Sequence, residues 1–503
     1  MAVGQDEDSA RPIKTVVGTG DVGCNGDKGP AVAAQLNGPY GIVVDGTGAV
    51  YFSDHHNHRV RKLTTDGKIK TIAGTGEAGF GGDDGSALSA RLNCPREVAV
   101  DSAGAVYIVD AGNHRVRKVA TDGTISTFAG TGTGGCSGDG GLATDAQLKY
   151  PHGVAVDSTG AVYISEWGNN RVRKVTAEGK IDTYAGTGAE GSAGDGGPAA
   201  SAQLKHPQGV AVDAAGNLYI ADCDNHRVRK VTADGTISTF AGTGTAGSVG
   251  DDGPAASAQL YCPMGVVVDS TGALYIADCE NHRVRKVTAD QKIHTVVGTD
   301  SAGSGGDGGP ALSAQLNKPF GLAVDCVDAV YIADYGNHRV RKVVAPRMAG
   351  LPESGTVVCW SNVRSRLRMA VVRESTMDGA EIHQTLAAAR DHQRWRLVVA
   401  GEHDGEALYR IENVRSGKVL EAGGPQETAW AVIAQRAYEG AQARHQQWRL
   451  IPVGPVNGTP RVYELANRSS GLLLQVHTNA RATIRQDGAE GDHRGRQWQL
   501  LPV

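Results

Sequence analysis

Short apolar segments alternate with turn-forming residues throughout residues 13–345. In residues 153–186, which read GVAVDSTGAVYISEWGNNRVRKVTAEGKIDTYAG, the segments GVAVD, AVYIS, RVRKV and IDTYAG are short and rich in β-branched residues. DSTG and AEGK separate some of these segments and are typical of tight turns. The pattern therefore predicts four antiparallel strands joined by hairpins.

The four-strand pattern recurs every 56 residues without insertion or deletion. The hexapeptide NHRVRK starts at Asn57, Asn113, Asn225, Asn281 and Asn337, and the variant NNRVRK starts at Asn169. Six units of constant length predict a radial β-propeller, in which each blade buries its faces against its neighbours. We therefore expect an all-β fold.

The ends of the repeat array predict how the ring closes. RVRKVV at residues 339–344 is not followed by a fourth strand, whereas PIKTVVGTG at residues 12–20 resembles GKIKTIAGTG at residues 67–76. The N-terminal strand, residues 13–18, should complete the sixth blade and remove its open edge. In the connectors, segments such as GPAASAQL suggest a helix of one or two turns, with Pro198 in the first turn.

The hexapeptide NHRVRK, preceded by GVAVDxxGxxYIAD, resembles the NHL repeat, and the resemblance covers residues 13–345. It implies a six-bladed propeller. Most NHL propellers are binding surfaces for proteins, RNA or other ligands, and relatives of similar architecture include amidating lyases. The resemblance thus predicts the fold but leaves the activity open.

The six RVRK segments suggest a basic stripe, but each unit also carries acids. One acid follows the second strand, at Asp54, Asp110, Glu166, Asp222, Asp278 and Asp334. A second acid ends the first strand, at Asp45, Asp101, Asp157, Asp213, Asp269 and Asp325. We expect charge pairs within each blade and a hairpin role for the recurring His58, His114, His226, His282 and His338.

Positions at which otherwise similar units differ are candidates for function. The residues after the connector proline are Tyr40, Arg96, His152, Gln208, Met264 and Phe320. Those after the first acid include His55, Trp167, Cys223, Cys279 and Tyr335. Both sets should open on one face near the axis, so a ligand funnel is predicted from Tyr40, His55, Arg96, His152, Trp167, Gln208, Met264, Phe320 and Tyr335.

Cysteine and histidine positions suggest two metal sites, although no cofactor is expected. His206, Cys223, Cys262 and Cys279 lie on one rim of adjacent blades and form an acceptable zinc set, without the usual C-x₂-C spacing. Small buried thiols are the commoner explanation, so all eight cysteines are expected to be free. His55, His152 and His206 would be the ligands of a metal-dependent enzyme, and calcium is a further option.

From residue 356 onward the period changes. NVRSRLRMAV, NVRSGKVLEA and NRSSGLLLQV begin at Asn362, Asn413 and Asn467, and each leads to an Ile-x-Gln and then to HQRWRL, HQQWRL or GRQWQL. Three units of this kind resemble the ricin-type β-trefoil, with Q-x-W at residues 393–395 and 446–448. The resemblance covers residues 356–503.

In ricin-type lectins a repeat binds sugar through an aspartate, an aromatic platform and a polar residue before Q-x-W. The aspartate positions hold Ala370, Glu421 and Gln475, the platforms Thr385, Arg436 and Asp487, and the polar positions His392, His445 and Gly495. No repeat is complete. The second, with Glu421, Gln435 and His445, is the best candidate for carbohydrate binding.

Composition narrows the class of protein. The net charge of the 503 residues is −4. Nucleic-acid binding requires a strongly basic surface, so it is not expected. No apolar run is long enough to span a bilayer, and MAVGQDEDSARP lacks the features of a secretory signal. These features predict a cytoplasmic protein, and the excess of Arg over Lys in residues 346–503 suggests a bacterial source.

The sequence therefore predicts an acidic tail (1–12), a propeller (13–345), a linker (346–355) and a trefoil (356–503). The expected function is non-enzymatic recognition, with a protein or small molecule in the propeller funnel and weak carbohydrate binding by the trefoil. The alternative is a metal-dependent propeller enzyme, of the lyase or hydrolase type, with a lectin-like targeting domain.

Overall fold

Four-stranded antiparallel sheets, repeated around an axis, form the N-terminal part of the protein. The computed structural model describes residues 11–344, apart from 46–47, 65, 270 and 326–328, and the backbone of the strands between residues 357 and 502. Contacts divide the chain into two main units, one ending at Pro346 and the other running from Arg347 onward.

Each of the first three blades runs from an innermost to an outermost strand. The first blade consists of β2 (Pro39–Val44), β3 (Val50–Asp54), β4 (Arg59–Leu63) and β5 (Ile69–Ala73). The second consists of β7 (Pro95–Val100), β8 (Val106–Asp110), β9 (Arg115–Val119) and β10 (Thr124–Ala129), with the short β6 (Gly85–Ser86) beside β10. The third consists of β11 (Pro151–Val156), β12 (Val162–Glu166), β13 (Arg171–Val175) and β14 (Ile181–Ala185).

The last three blades follow the same order. The fourth consists of β15 (Pro207–Val212), β16 (Leu218–Asp222), β17 (Arg227–Val231) and β18 (Ile237–Ala241). The fifth consists of β19 (Pro263–Val268), β20 (Leu274–Asp278), β21 (Arg283–Val287) and β22 (Ile293–Val297). The sixth consists of β23 (Pro319–Val324), β24 (Val330–Asp334), β25 (Arg339–Val343) and, as its outer strand, β1 (Ile13–Val17).

Strand β1 thus joins the two ends of the propeller. Ile13 pairs with Val343 and Lys14 with Lys342 in antiparallel register. Ile13 and Val17 are fully buried, so the strand contributes apolar packing as well as backbone hydrogen bonds.

Two short 3₁₀ turns accompany each blade. Those in the connectors are Ala31–Ala33, Ala87–Ser89, Ala143–Asp145, Ala199–Ser201, Ala255–Ser257 and Ala311–Ser313. Those between the second and third strands are His55–Asn57, Ala111–Asn113, Trp167–Asn169, Cys223–Asn225, Cys279–Asn281 and Tyr335–Asn337. Within the described residues every helix is such a turn, and none is long and apolar enough to cross a membrane.

The connector helix predicted from GPAASAQL is therefore wrong in length. Pro198 precedes a single turn in extended conformation, with φ −60° and ψ 131°. The turn ends at Ala202, whose backbone is extended (φ −80°, ψ 161°). The next amide, Gln203 N, donates to Ala193 O over 2.9 Å, so the N–H that would continue a helix is bonded elsewhere.

The apolar cores lie between blades. Val109 of the second blade and Ile164 of the third are fully buried in one cluster, and Ala221 of the fourth blade packs with Ile276 of the fifth. Each sheet buries both faces, which explains the continuous apolar character of the second strands.

Charge pairs within each blade, predicted from the repeats, are confirmed. Arg61 and Asp54 are fully buried, with Nη1 3.1 Å from Oδ2. Arg61 Nη2 also lies 2.8 Å from Oδ1 of Asp27, a connector acid that the sequence analysis missed. The equivalent buried arginines are Arg117, Arg173, Arg229, Arg285 and Arg341. The RVRK segments therefore supply structural cations, not a basic stripe.

The recurring histidines end the turns between the second and third strands, as the predicted hairpin role requires, and they also link consecutive blades, which was not predicted. His58 adopts left-handed backbone geometry (φ 52°), and its Nδ1 accepts a hydrogen bond from Cys94 N over 3.1 Å. In the third blade Asn170 replaces histidine, and its Oδ1 accepts from His206 N over 2.9 Å. Asparagine can do this because it also tolerates left-handed geometry and offers an acceptor.

The C-terminal unit has the strand pairing of a β-trefoil, as predicted. Its strands are β26 (Val357–Asn362), β27 (Arg368–Val371), β28 (Ala380–Thr385), β29 (Trp395–His403), β30 (Glu406–Asn413), β31 (Val419–Ala422), β32 (Ile433–Arg436), β33 (Trp448–Pro452), β34 (Val462–Asn467), β35 (Leu473–Val476), β36 (Ile484–Asp487) and β37 (Trp498–Pro502). Pairings β26–β29–β30–β33–β34–β37–β26 close a ring. Three hairpins, β27–β28, β31–β32 and β35–β36, complete it.

Candidate functional site

The second residue of each innermost strand contributes to one layer across the propeller axis, which we call the floor. It consists of Tyr40, Arg96, His152, Gln208, Met264 and Phe320. Each follows a connector proline that begins the strand. The residue before that proline has positive φ in every blade, from 45° to 66°. These turns and the 3₁₀ turns between the second and third strands lie at the same end of the blades. We call this end of the propeller the upper face.

Four floor residues form a hydrogen-bonded network. Arg96 Nη1 donates to Tyr40 Oη over 2.8 Å and contacts His152 Nδ1 at 2.9 Å. Tyr40 Oη donates to Gln208 Oε1 over 3.2 Å, and His152 Nδ1 lies 2.5 Å from the same oxygen. Because Tyr40, His152 and Gln208 are each at most 6% exposed, the network fills the axis and makes the funnel shallow.

Around the floor lies a rim formed by the 3₁₀ turns between the second and third strands. Trp167 is stacked between two histidines, with ring centroids 5.7 Å from His152 and 4.3 Å from His206. On the other side Phe320 stacks on Tyr335, with centroids 4.2 Å apart. Stacking on both faces holds the Trp167 ring in place.

The structure brings the predicted funnel residues together. Besides the floor, the His55 ring packs at a tilt of 33° against Tyr40 with centroids 5.4 Å apart, and Met264 packs with Tyr40, Phe320 and Tyr335. The prediction that these positions share one face is therefore confirmed, whereas ligand binding there stays a prediction.

Burial controls the protonation of the floor. It lowers the pKa of His55 to about 3 and that of His152 well below its usual value. It raises the pKa of Tyr40 to about 12, partly offset by Arg96. At neutral pH both imidazoles are therefore neutral.

The histidine metal set of the alternative function is not assembled. His55 Nδ1 bonds to Pro95 O over 3.0 Å, His152 Nδ1 faces the Arg96 cation, and His206 Nδ1 lies 2.6 Å from Asp224 Oδ2. A fixed positive charge at His152 opposes a metal ion there, and among the described residues the three ligands close enough together to hold an ion are Cys223, Asp224 and Cys262. Metal binding by the three histidines stays a prediction.

The cysteine predictions need correction as well. Cys223 and Cys262 form a disulfide, so the expectation of eight free thiols is wrong. The positive-φ turn at Cys262 (φ 50°) directs it toward the neighbouring blade, a relationship that periodicity cannot reveal. Among the described residues Cys24, Cys94, Cys136 and Cys279 are free, and burial raises the pKa of Cys279. Zinc binding by His206, Cys223, Cys262 and Cys279 would require the reduced chain and stays a prediction.

Below the floor the propeller axis contains a cavity of ≈ 250 Å³. Its wall is formed by the innermost strands and includes Glu97, whose Oε1 accepts a hydrogen bond from Ile42 N over 3.2 Å. Burial raises the pKa of Glu97 to about 8. Glu97 was not among the predicted site residues, but its position stands out in the sequence because the equivalent residue is glycine in the other five units.

The trefoil candidates have described backbone positions only in part. Glu421 pairs with Ala434 across the β31–β32 hairpin, and Leu420 pairs with Gln435. Glu421 and Gln435 are thus one register step apart. His445 lies outside the described residues.

Known families match both parts of the chain. Residues 75–134, 131–192 and 187–249 match the teneurin NHL domain, and residues 260–287 and 316–343 match the NHL repeat. Residues 350–436 and 391–487 match the ricin-type beta-trefoil lectin domain-like family.

Individual relatives share parts of this chain. Teneurin-m of Drosophila melanogaster is 27% identical over 384 residues, which cover 68% of this chain and 13% of that protein. Protein SUPPRESSOR OF QUENCHING 1, chloroplastic, of Arabidopsis thaliana is 28% identical over 289 residues, covering 55% of this chain and 27% of that protein. The chain thus spans about a quarter or less of the length of these relatives.

A solved structure supports the architecture. A structural genomics protein of unknown function from Bacteroides thetaiotaomicron superposes with a TM-score of 0.51 at 22% identity, covering 66% of this chain and 75% of that one. Together with the repeats, the blade sheets and the trefoil pairings, these matches identify the chain as an NHL-repeat β-propeller protein with a C-terminal ricin-type β-trefoil, lectin-like domain.

Proposed function

We propose that the propeller is a recognition module whose upper face binds a protein partner. The observation that carries this proposal is the closed floor: Tyr40, Arg96, His152 and Gln208 bond to one another across the axis. Small-molecule sites are usually concave and bury most of the ligand. A shallow, rigid surface is better suited to a protein.

The side chains around the floor have the composition of a protein interface. Tyr150 and Tyr261 are 45% and 43% exposed, the ring centroids of Tyr150 and Trp167 are 6.2 Å apart, and Trp167 and Tyr335 are half-buried on the rim. Aromatic residues are enriched at the centre of interfaces because they bury a large area at a small entropic cost. In a chain with only 5% aromatic residues, this concentration is notable.

The rim is also preorganised. Trp167 is stacked between His152 and His206, and His56 Nε2 lies 2.9 Å from Tyr335 Oη. A partner would therefore meet side chains that are already ordered, which lowers the entropic cost of association. The neutral, hydrogen-bonded His55 and His152 fit recognition better than proton transfer.

Comparative affinity capture tests the proposal. Immobilised wild-type protein, Tyr150→Ala, Trp167→Ala and Ala103→Arg are exposed to extract of the source cells, and retained proteins are quantified by mass spectrometry. Ala103 is exposed in the turn between the first and second strands of its blade, at the opposite end of those strands, so a bulky charge there serves as the control.

We expect a protein retained by wild type and Ala103→Arg, and weakened at least tenfold by each aromatic substitution, about 1.4 kcal/mol or more. Retention that is insensitive to Tyr150 and Trp167 would contradict an upper-face partner. A small molecule that copurifies in stoichiometric amount and is seen by native mass spectrometry would favour a small ligand instead.

For the trefoil we propose weak carbohydrate binding, at best millimolar, in the second repeat. Its sequence retains a carboxylate at Glu421, which can accept sugar hydroxyls, but Arg436 replaces the aromatic platform. Loss of stacking limits the binding free energy to about −4 kcal/mol.

A glycan array followed by titration of Glu421→Ala tests this second proposal, with Glu427→Ala, a nearby acid outside the lectin pattern, as the control. Millimolar binding that is lost only in Glu421→Ala supports it. Micromolar binding lost in Glu421→Ala would show that the pocket is stronger than its missing ring implies, and binding unaffected by that substitution would exclude the second repeat.

A further inference from the structure

One residue breaks the symmetry of the innermost strands. The third residue of each such strand is Gly41, Gly153, Gly209, Gly265 or Gly321 in five blades, and Glu97 in the second. Glycine is required because a Cβ at Gly265 would lie 2.3 Å from Phe320 O of the next blade. A glutamate at this crowded position is a costly exception, and costly exceptions often mark function.

The neighbouring blade accommodates the Glu97 side chain. A Cβ at Gly41 would lie only 2.6 Å from Glu97 Oε1, so glycine there leaves space for the carboxyl group. Ile42 N donates to that oxygen over 3.2 Å. The carboxyl group is thus held across the boundary between two blades, on the wall of the axial cavity.

The cavity offers this acid no basic partner. Its lining residues other than Glu97 are valine, alanine, leucine, isoleucine and glycine, with no other ionisable side chain. Arg96, the adjacent residue, is engaged in the floor by Tyr40 and His152. An acid enclosed without a counter-cation is unfavourable when ionised, in agreement with its raised pKa.

The shape of the cavity constrains what a ligand would look like. Glu97 lies next to the floor, at the upper end. The lining extends along the innermost strands to Val100 and its counterparts. Glu97 and Val100 are three residue steps apart, or about 10 Å at roughly 3.3 Å per step. The innermost strands pair on one side only, so their free edges also present carbonyl oxygens.

We propose that this cavity binds a primary alkylammonium group, with the cation against the Glu97 carboxylate at the upper end and the alkyl chain along the valines toward the lower face. The carboxylate supplies the charge, and strand-edge carbonyl oxygens accept the remaining ammonium protons. The valine walls gain from burial of the chain. This site is separate from the upper face and does not depend on a protein partner there.

Isothermal titration calorimetry with n-hexylammonium chloride tests the proposal on the full-length protein. The variants are Glu97→Gln, which keeps the shape but removes the charge, and Glu97→Gly, which installs the residue of the other five blades. Glu178→Gln removes an exposed hairpin acid in the third blade and is the control. n-Hexanol supplies the same chain without charge.

We expect wild type and Glu178→Gln to bind n-hexylammonium with equal affinity, at least tenfold more tightly than n-hexanol, and at least tenfold more tightly than either Glu97 variant. Binding at neutral pH should release a proton, seen as a dependence of the heat on buffer ionisation, because Glu97 must ionise to pair with the cation.

Absence of n-hexylammonium binding to the wild type, or equal affinity in Glu97→Gln, would overturn the proposal. Binding of Ca²⁺ or Mg²⁺ but not of n-hexylammonium would also overturn the proposal, because that result would identify a metal site. Thermal melting of Glu97→Gln and Glu97→Gly establishes that both are folded. No upper-face residue is changed, so these results are independent of partner binding.

Discussion

The backbone N–H of Gly38 donates a hydrogen bond to Nδ1 of His338 over 3.1 Å, although 300 residues separate them. A histidine forms the same bond at four other junctions between successive blades, as between Cys94 and His58, and Asn170 takes its place at the junction of the third and fourth blades. On this face, the junction between the first and last blades is therefore held by the same type of hydrogen bond as the junctions between the other blades.

Ring closure depends on β1. Deletion of residues 1–18 removes its pairing with β25 and exposes the core that buries Ile13 and Val17. We expect a loss of several kcal/mol and a fall in Tm of roughly 5 °C or more. Differential scanning calorimetry measures it. Deletion of residues 1–10, which leaves β1 in place, is the control, and equal Tm values for both deletions would contradict this role.

The two arginines of RVRK should differ sharply in their contribution to stability. Arg229 is fully buried between Asp222 and Asp195, whereas Arg227 is partly exposed and bonds to Thr243 O. Arg229→Met leaves two carboxylates without their cation and should cost about 3–5 kcal/mol. Arg227→Met should cost about 1 kcal/mol. Urea unfolding compares them, and similar losses would show that the buried network is not important.

Stability should fall on acidification through His55. Burial lowers the pKa of His55 to about 3, against 6.5 for an ordinary histidine. Between these two pH values the unfolded chain binds a proton at His55 and the folded chain does not. The stabilisation is complete above pH 6.5 and is lost as pH falls toward 3. Between pH 7.5 and pH 5 this amounts to about 2 kcal/mol.

Urea unfolding of wild type and His55→Gln at both pH values measures this contribution. The variant should lose about 2 kcal/mol less than wild type on acidification, whatever its stability at pH 7.5. Parallel losses in wild type and His55→Gln would mean that His55 titrates normally.

The Cys223–Cys262 disulfide should be detectable chemically. Thiol titration of the denatured, unreduced protein should find two fewer thiols than after reduction. Cys223→Ser should abolish that difference, and Cys279→Ser should preserve it. The bond spans a sequence separation of 39 residues, so its loss should cost up to about 4 kcal/mol. Equal thiol counts with and without reductant would show that the pair is reduced.

That titration also bears on cellular location. Disulfides persist mainly in oxidising compartments, so a bonded Cys223–Cys262 pair would favour an oxidising compartment. Two free thiols would favour a reducing one.

The sequence by itself determined the blades, because each is built from local contacts repeated at a fixed interval. The order of strands, the pairing of Arg61 with Asp54 and the inward position of Tyr40 and Trp167 all follow from periodicity and short hairpins. The trefoil followed from its own threefold pattern in the same way.

Only the tertiary structure decided what the variable residues do once six blades meet at the axis. The bond between Arg96 and His152, the disulfide of Cys223 with Cys262 and the acid on the cavity wall at Glu97 each join different blades. Such contacts depend on the rotation between neighbouring blades and on side-chain reach across the axis. Neither quantity can be predicted from the length of the repeat. The sequence of one repeat therefore predicts the position of a residue in its blade but not its partner in another blade.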